Sequence, residues 1–251
     1  MFKYDLDAVS EWATNNKMFV NTTKTKSLLV TGKRIAKKLG QEAAQCLKTM
    51  LDKTEIPEVS SHKLLGVTLE RNMAYDLHID ELCNKLSKRL GLFKHISPYL
   101  KQKQRETYFN RVIKPTLMYG SISCCAESLQ RVLKLQKRAA RIILNEDSGT
   151  PPVTLFNKLN WLPFTKQSLI KRNTLACKRV DSSYKTPSYI DNLLIRNSDI
   201  HQRETCYSNS NLLCLKYSRK TEGGRTFAVR TITEWNSIDS SIRNKGSVAS
   251  F

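Results

Sequence analysis

Five cations stand close together in one stretch of this sequence: Arg131, Lys134, Lys137, Arg138 and Arg141, with no acidic residue between 128 and 145. On a helix turning about 100° per residue, Arg131, Lys134, Arg138 and Arg141 fall within an arc of roughly 80°, with Lys137 beside them. Leu129, Val132, Ala139 and Ile143 take the opposite side. Such a row can follow a phosphate backbone, each neutralised phosphate releasing a counterion. The plain alternative is a solvated helix face, and the absence of acids along the row favours phosphate. Lys85, Lys88 and Arg89 form a smaller patch upstream. Its acids, Asp80 and Glu81, sit in the first turn, where they complement a helix dipole.

Other chemistries find less support. A zinc site wants paired ligands of the Cys-x-x-Cys kind. Here Cys124 and Cys125 are adjacent, and His201, Cys206 and Cys214 lack a fourth partner. No Gly-x-Ser-x-Gly elbow and no phosphate loop of the P-loop type occurs. Asp5 and Asp7 lie near a helix start, where acids commonly cap, and are read as no metal site. Metal ligands and catalytic residues are therefore expected to be none.

The 251 residues carry 42 Lys plus Arg against 22 Asp plus Glu, a net charge of +20. A chain so basic repels itself unless it meets a polyanion, with nucleic acid the first candidate and an anionic membrane surface the second. No apolar run approaches the roughly 20 residues that cross a bilayer. The start, Met1-Phe2-Lys3-Tyr4-Asp5, lacks the basic and apolar regions of a signal peptide. Seven scattered cysteines favour reduced thiols. The expectation is an intracellular protein of cytoplasm or nucleus, not secreted and not in a membrane.

These cations need a scaffold. Leu6, Val9 and Trp12 predict a helix over 5–16 with an apolar face. Met18–Val20 and Ser27–Val30 read as short strands, 33–45 as helix-prone, and two short strands are expected around Asp52-Lys53. His62–Leu69 reads as one strand containing Gly66, which suggests a bulge. Ile79, Leu82, Leu86, Leu90 and Phe93 recur at helical spacing from 76 onward. A second helix covers 102–119, kinked or stopped near Pro115, and a third covers 126–144. Three amphipathic helices with short connections suggest a helical bundle. Gly149-Thr150-Pro151-Pro152 is a candidate boundary. Short helices follow near 153–159 and 165–179, then a loop-dominated stretch over 183–225, then a helix around Phe227, Val229, Ile232 and Trp235. Trp161, Trp235 and Tyr207 are read as packing residues rather than platforms for bases.

Taken in order, several segments resemble a known family. They are Lys24-Thr25-Lys26-Ser27-Leu28-Leu29-Val30, Leu64-Leu65-Gly66-Val67, His78-Ile79-Asp80, Ile113-Lys114-Pro115-Thr116-Leu117-Met118-Tyr119-Gly120 and Leu135-Gln136-Lys137-Arg138-Ala139-Ala140-Arg141, with Gly224–Val229 and Glu234–Ile238 further on. Together they look like the C-terminal half of a non-LTR (LINE-type) retrotransposon reverse transcriptase, an RNA-directed DNA polymerase. The resemblance implies a mostly helical α+β fold. Residues 1–70 would be a palm remnant with a small antiparallel sheet and hairpin, 71–150 a thumb-like helical bundle, and 151–251 a loop-rich helical tail.

The resemblance also implies roles. Lys24 and Lys26 would lie near the incoming nucleotide's phosphates. Leu64, Leu65, Gly66 and Val67 would match the primer grip, a tight hairpin holding the primer end. The thumb would close on template and primer, so Lys85, Lys88, Arg89, Arg131, Lys134, Lys137, Arg138 and Arg141 would contact RNA or an RNA–DNA hybrid, largely without regard to sequence. The family's catalytic Tyr/Phe-x-Asp-Asp loop is absent from these residues, and Tyr4-Asp5-Leu6-Asp7 does not replace it. The complete parent would use Mg2+, since nucleotidyl transfer needs carboxylates holding two metal ions. This chain alone is expected to carry no cofactor and not to polymerise. The alternatives are a degenerate element product without activity and a stand-alone basic nucleic-acid-binding protein.

Overall fold

The structure is a computed structural model that describes residues 2–30, 49–51, 54–119, 126–200, 211–216, 221–224 and 226–244. The described chain is mostly helical, with two small antiparallel sheets of two strands each. It forms two compact units, Met1–His78 and Ile79–Phe251.

In the first unit, helix α1 (Phe2–Asn15) forms where the three-and-four spacing places it. Lys17 ends it in the left-handed region (φ 56°), and the Met18 N–H donates back to the Ala13 carbonyl at 2.8 Å. This six-to-one bond is the signature of a Schellman stop. The expected core face of α1 is not a core. Ala13 is buried, but Val9 is 49% and Trp12 59% exposed. The two-stranded hairpins among the described residues of this unit are too small to cover a helix face.

The strand expected over Met18–Val20 is also corrected: the segment has no ladder, and Phe19 is fully exposed. Ser27–Val30 contributes a single parallel rung, in which Ser27 N–H donates to Pro57 O at 3.1 Å and Val59 N–H to Ser27 O at 2.8 Å. The helix expected over 33–45 lies outside the described residues.

Two strands do flank Asp52-Lys53. Strand β1 (Thr49–Leu51) pairs antiparallel with β2 (Thr54–Ile56), and Leu51 and Ile56 are buried. The bulged strand over His62–Leu69 is instead a tight hairpin of β3 (Ser61–Leu64) and β4 (Val67–Glu70), with Leu64 opposite Val67. Its two-residue loop puts both Leu65 (φ 48°) and Gly66 (φ 82°) in the left-handed region. That is the type I′ geometry whose twist suits a hairpin, and it requires positive φ at both positions. Gly66 adopts it freely. Leu65 has a Cβ that crowds its own carbonyl there and costs about 1–2 kcal/mol. Leu65→Asn, the residue most at home at this position, is expected to stabilise the hairpin by about 0.5–1 kcal/mol. Stability to urea checks this, and a loss on substitution would refute it.

Helix α2 (Asp76–Ile96) leads into the second unit and buries Ile79, Leu82, Leu86, Leu90 and Phe93, the whole predicted stripe. A 3-10 turn (Ser97–Tyr99) joins it to α3 (Gln102–Tyr108). The chain then widens into a π-helical turn (Phe109–Ile113) before α4 (Lys114–Met118). Pro115 explains the widening. It lacks the N–H that the Arg111 carbonyl would receive, and its ring crowds that carbonyl, so the preceding turn opens instead of breaking. Arg89 closes the gap from α2, donating to Val112 O at 2.8 Å and to Thr116 Oγ1. Phe93 and Tyr108 stack at 4.8 Å between ring centres.

Helix α5 (Ala126–Leu144) buries Leu129, Val132, Ala139 and Ile143 on the predicted side. The Gly149–Pro152 break lies inside the second unit, and packing runs across it. The buried Gln136 side chain donates to Leu162 O at 3.0 Å and accepts the Phe164 N–H at 2.7 Å. It thereby ties α5 to the start of the helix at Phe164. Trp161, just past helix α6 (Pro152–Lys158), stacks on Phe109 at 4.1 Å.

The tail packs better than its composition suggests. Helices α7 (Phe164–Val180), α8 (Ser188–Leu193) and α9 (Asn197–Ile200) are followed by α10 (Thr221–Gly224), α11 (Phe227–Asn236) and α12 (Ser240–Arg243). Cys177, Ile190, Leu194, Leu213, Ile232 and Trp235 form a buried core. Three consecutive α11 residues each do a separate job. Glu234 takes a bidentate bond from buried Arg172, at 2.6 and 2.7 Å. Trp235 is fully buried and donates to Asn211 O at 2.8 Å. The Asn236 amide pairs with the Leu213 backbone, accepting from its N–H at 3.0 Å and donating to its carbonyl at 2.8 Å. The loop expected over 183–225 is thus pinned at 188–200 and 211–216, and Trp161 and Trp235 are packing residues as expected. Tyr207 lies outside the described residues.

Candidate nucleic-acid interface

Helix α5 takes its orientation from its apolar side, so its basic side is what remains for solvent. Lys134 and Arg138 are exposed and Lys137 half-exposed, and none has a partner among the described residues. Lys85 and Lys88 on α2 are likewise exposed and without described partners. The helices meet where Arg131 pairs with Asp80, each about half-exposed. They approach again where Lys94 and Arg138 line one cleft.

The other cations of the predicted set have different duties. Arg89 is half-buried on the Val112 carbonyl and the Thr116 hydroxyl, so it braces the bundle and is not presented outward. Arg131 is held by Asp80. Arg141 is partly buried, with Nη2 reaching Thr150 O at 3.5 Å and a covered Nε that donates to nothing described. Of the predicted set, Lys85, Lys88, Lys134, Lys137 and Arg138 are therefore the cations the described fold leaves available. The helical period located the face correctly but could not tell which members find a carboxylate or carbonyl.

Two features of the site had no local signal. Arg105 donates to Ile142 O at 3.5 Å and to Ile143 O at 3.1 Å, capping the C-terminus of α5 from α3. A cation there offsets the negative end of the helix dipole, which would otherwise oppose an anion nearby. Asn145 (φ 57°) stops α5 in the left-handed region, and Glu146 N–H donates to Arg141 O at 3.1 Å, again a Schellman arrangement. The Glu146 carboxylate is engaged by Lys158 Nζ at 2.6 Å and Thr150 Oγ1 at 3.1 Å. The Lys158 bond first, then the Thr150 bond, holds its pKa below the ordinary glutamate value.

The palm-like candidates lie in the first unit. Lys24 stands in the 22–24 turn and Lys26 just before the Ser27 rung, both exposed. Leu64 and Leu65 form the hairpin tip, 55% and 85% exposed. A hydrophobic tip raised on a tight turn is suited to contact with another surface. Among the described residues no three His, Cys, Asp or Glu side chains come together to hold a metal, and no helix is long and apolar enough to cross a membrane. Asp5 and Asp7 are both exposed on α1 and, two residues apart, diverge by about 200° around it. No family model, no curated protein and no solved structure matches this chain.

Proposed function

We propose that this chain binds nucleic acid through its phosphate backbone along the exposed basic sides of α2 and α5. In this reading it is the thumb-like, duplex-holding part of a polypeptide related to the non-LTR reverse transcriptases. The observation that carries it is the row of available cations on α5, Lys134, Lys137 and Arg138, with Lys85 and Lys88 exposed on another side of α2. Long flexible cations on a rigid face neutralise phosphates without reading bases, so affinity is high at low salt and largely indifferent to sequence. RNA or an RNA–DNA hybrid is the preferred partner by family resemblance.

Among the described residues no group of three His, Cys, Asp or Glu side chains comes together. This reading assigns binding to the chain and leaves nucleotidyl transfer to the complete parent. Fluorescence anisotropy with a labelled RNA–DNA hybrid across 50–200 mM salt tests it. With five cations engaged, the logarithm of affinity falls linearly against the logarithm of salt with a slope near −4 to −5. A flat dependence, or no binding at the lowest salt, refutes the reading. Primer–template, nucleotides and Mn2+ added to the same protein are expected to give no extension, and extension would show that a catalytic site exists.

A further inference from the structure

The C-terminal end of α5 borders a cleft of about 380 Å³ whose lining includes Lys94, Arg138, Arg141, Asn145 and two carboxylates, Glu146 and Asp147. A volume of this order suits one nucleotide, being within the range of ordinary small-ligand sites. Three of these groups are cations. One of them, Arg141, carries the covered Nε that donates to nothing described. Arg105 caps the helix end beside it, and Lys158 with Thr150 occupies Glu146. The Asp147 carboxylate keeps no partner among the described residues and is exposed. Tyr99, next in the chain after Pro98, is 88% exposed.

A carboxylate among phosphate-binding cations needs a reason. It can only accept hydrogen bonds, and a phosphodiester offers no donor, so Asp147 opposes a bare phosphate. The sugar of DNA has no hydroxyl within a strand, whereas each ribose carries a 2′-hydroxyl that donates. We propose, on the footing that the chain binds nucleic acid at all, that this cleft seats one ribonucleotide of a bound strand. Lys94, Arg138 and Arg141 hold its phosphate and Asp147 accepts from its 2′-hydroxyl. The site therefore selects RNA over DNA, a preference the outer basic face cannot supply because both strands carry the same phosphates.

The test compares matched single-stranded RNA and DNA of identical sequence on the full chain at one salt concentration. The unmodified protein favours RNA by about five- to tenfold, the worth of one ordinary hydrogen bond at an exposed acceptor. Asp147→Ala brings that ratio near one, while its affinity for DNA is kept or raised by the lost negative charge. Asp147→Asn, which retains an acceptor oxygen, keeps most of the preference. Asp147 is exposed, so neither variant threatens folding. Equal affinity for RNA and DNA, or a preference untouched in Asp147→Ala, overturns the cleft assignment and leaves backbone binding standing. Failure to bind either strand, joined by failure to bind the RNA–DNA hybrid, removes the underlying reading itself.

Discussion

Glu234→Ala is expected to destabilise the second unit by about 3–5 kcal/mol. Arg172 has 3% of its side chain exposed, and Glu234 supplies its two short bonds. A guanidinium cannot discharge itself by losing a proton at any ordinary pH. Removing the carboxylate therefore leaves a full charge in a covered site, where Arg172 Nη1 already lacks a described partner. The damage is the cost of that isolated charge, not the worth of the pair. Replacing both partners by apolar residues of similar size, Arg172→Met with Glu234→Leu, is accordingly expected to recover most of the loss. Urea denaturation of the three proteins decides the matter. A single-variant loss under about 1 kcal/mol, the level of an exposed pair, would show that water reaches the site.

The same pair shows where the sequence stops being readable. Its members are 62 residues apart, on helices α7 and α11, and nothing near either residue announces the other. Local periodicity is another matter. The stripes of α2 and α5 depend only on spacing, and every stripe residue named for them is buried. Strands fare worse because a ladder needs a partner. Thr49–Leu51 and Thr54–Ile56 find theirs two residues away, whereas Ser27 meets Glu58 in one rung and Met18–Val20 has no ladder.

The basic face lies between these cases. Its angular position follows from the helical repeat, but the pairing of Arg131 with Asp80 and the use of Arg89 on Val112 O are tertiary facts. Apolar spacing on α1 misled for the converse reason: a stripe becomes a core only when something large enough covers it. Pro115 predicts a kink or stop, and the chain absorbs it in a π-turn that Arg89 braces.

Reversing two free cations of α5, Lys134→Glu with Arg138→Glu, is expected to weaken hybrid binding about a hundredfold at 0.1 M salt. Each phosphate contact is worth close to eightfold there through counterion release, and two new carboxylates add repulsion. The salt slope should shallow by about 1.8, since two phosphates are no longer neutralised. Fewer contacts would not be the sole route to weaker binding, because each reversal removes two units of charge and the net falls from +20 to +16. Lys171→Glu with Lys185→Glu makes the same change at two exposed sites in the tail. If the long-range field of the whole protein drives association, both double variants weaken alike. If phosphates sit on α5, the tail variant loses only a few-fold and keeps its slope, because charges beyond a Debye length of about 10 Å are largely screened. Equal losses in the two variants would take the interface off α5. A loss confined to Lys134→Glu with Arg138→Glu would place phosphates against these two side chains, on the helix that also walls the cleft through Arg141.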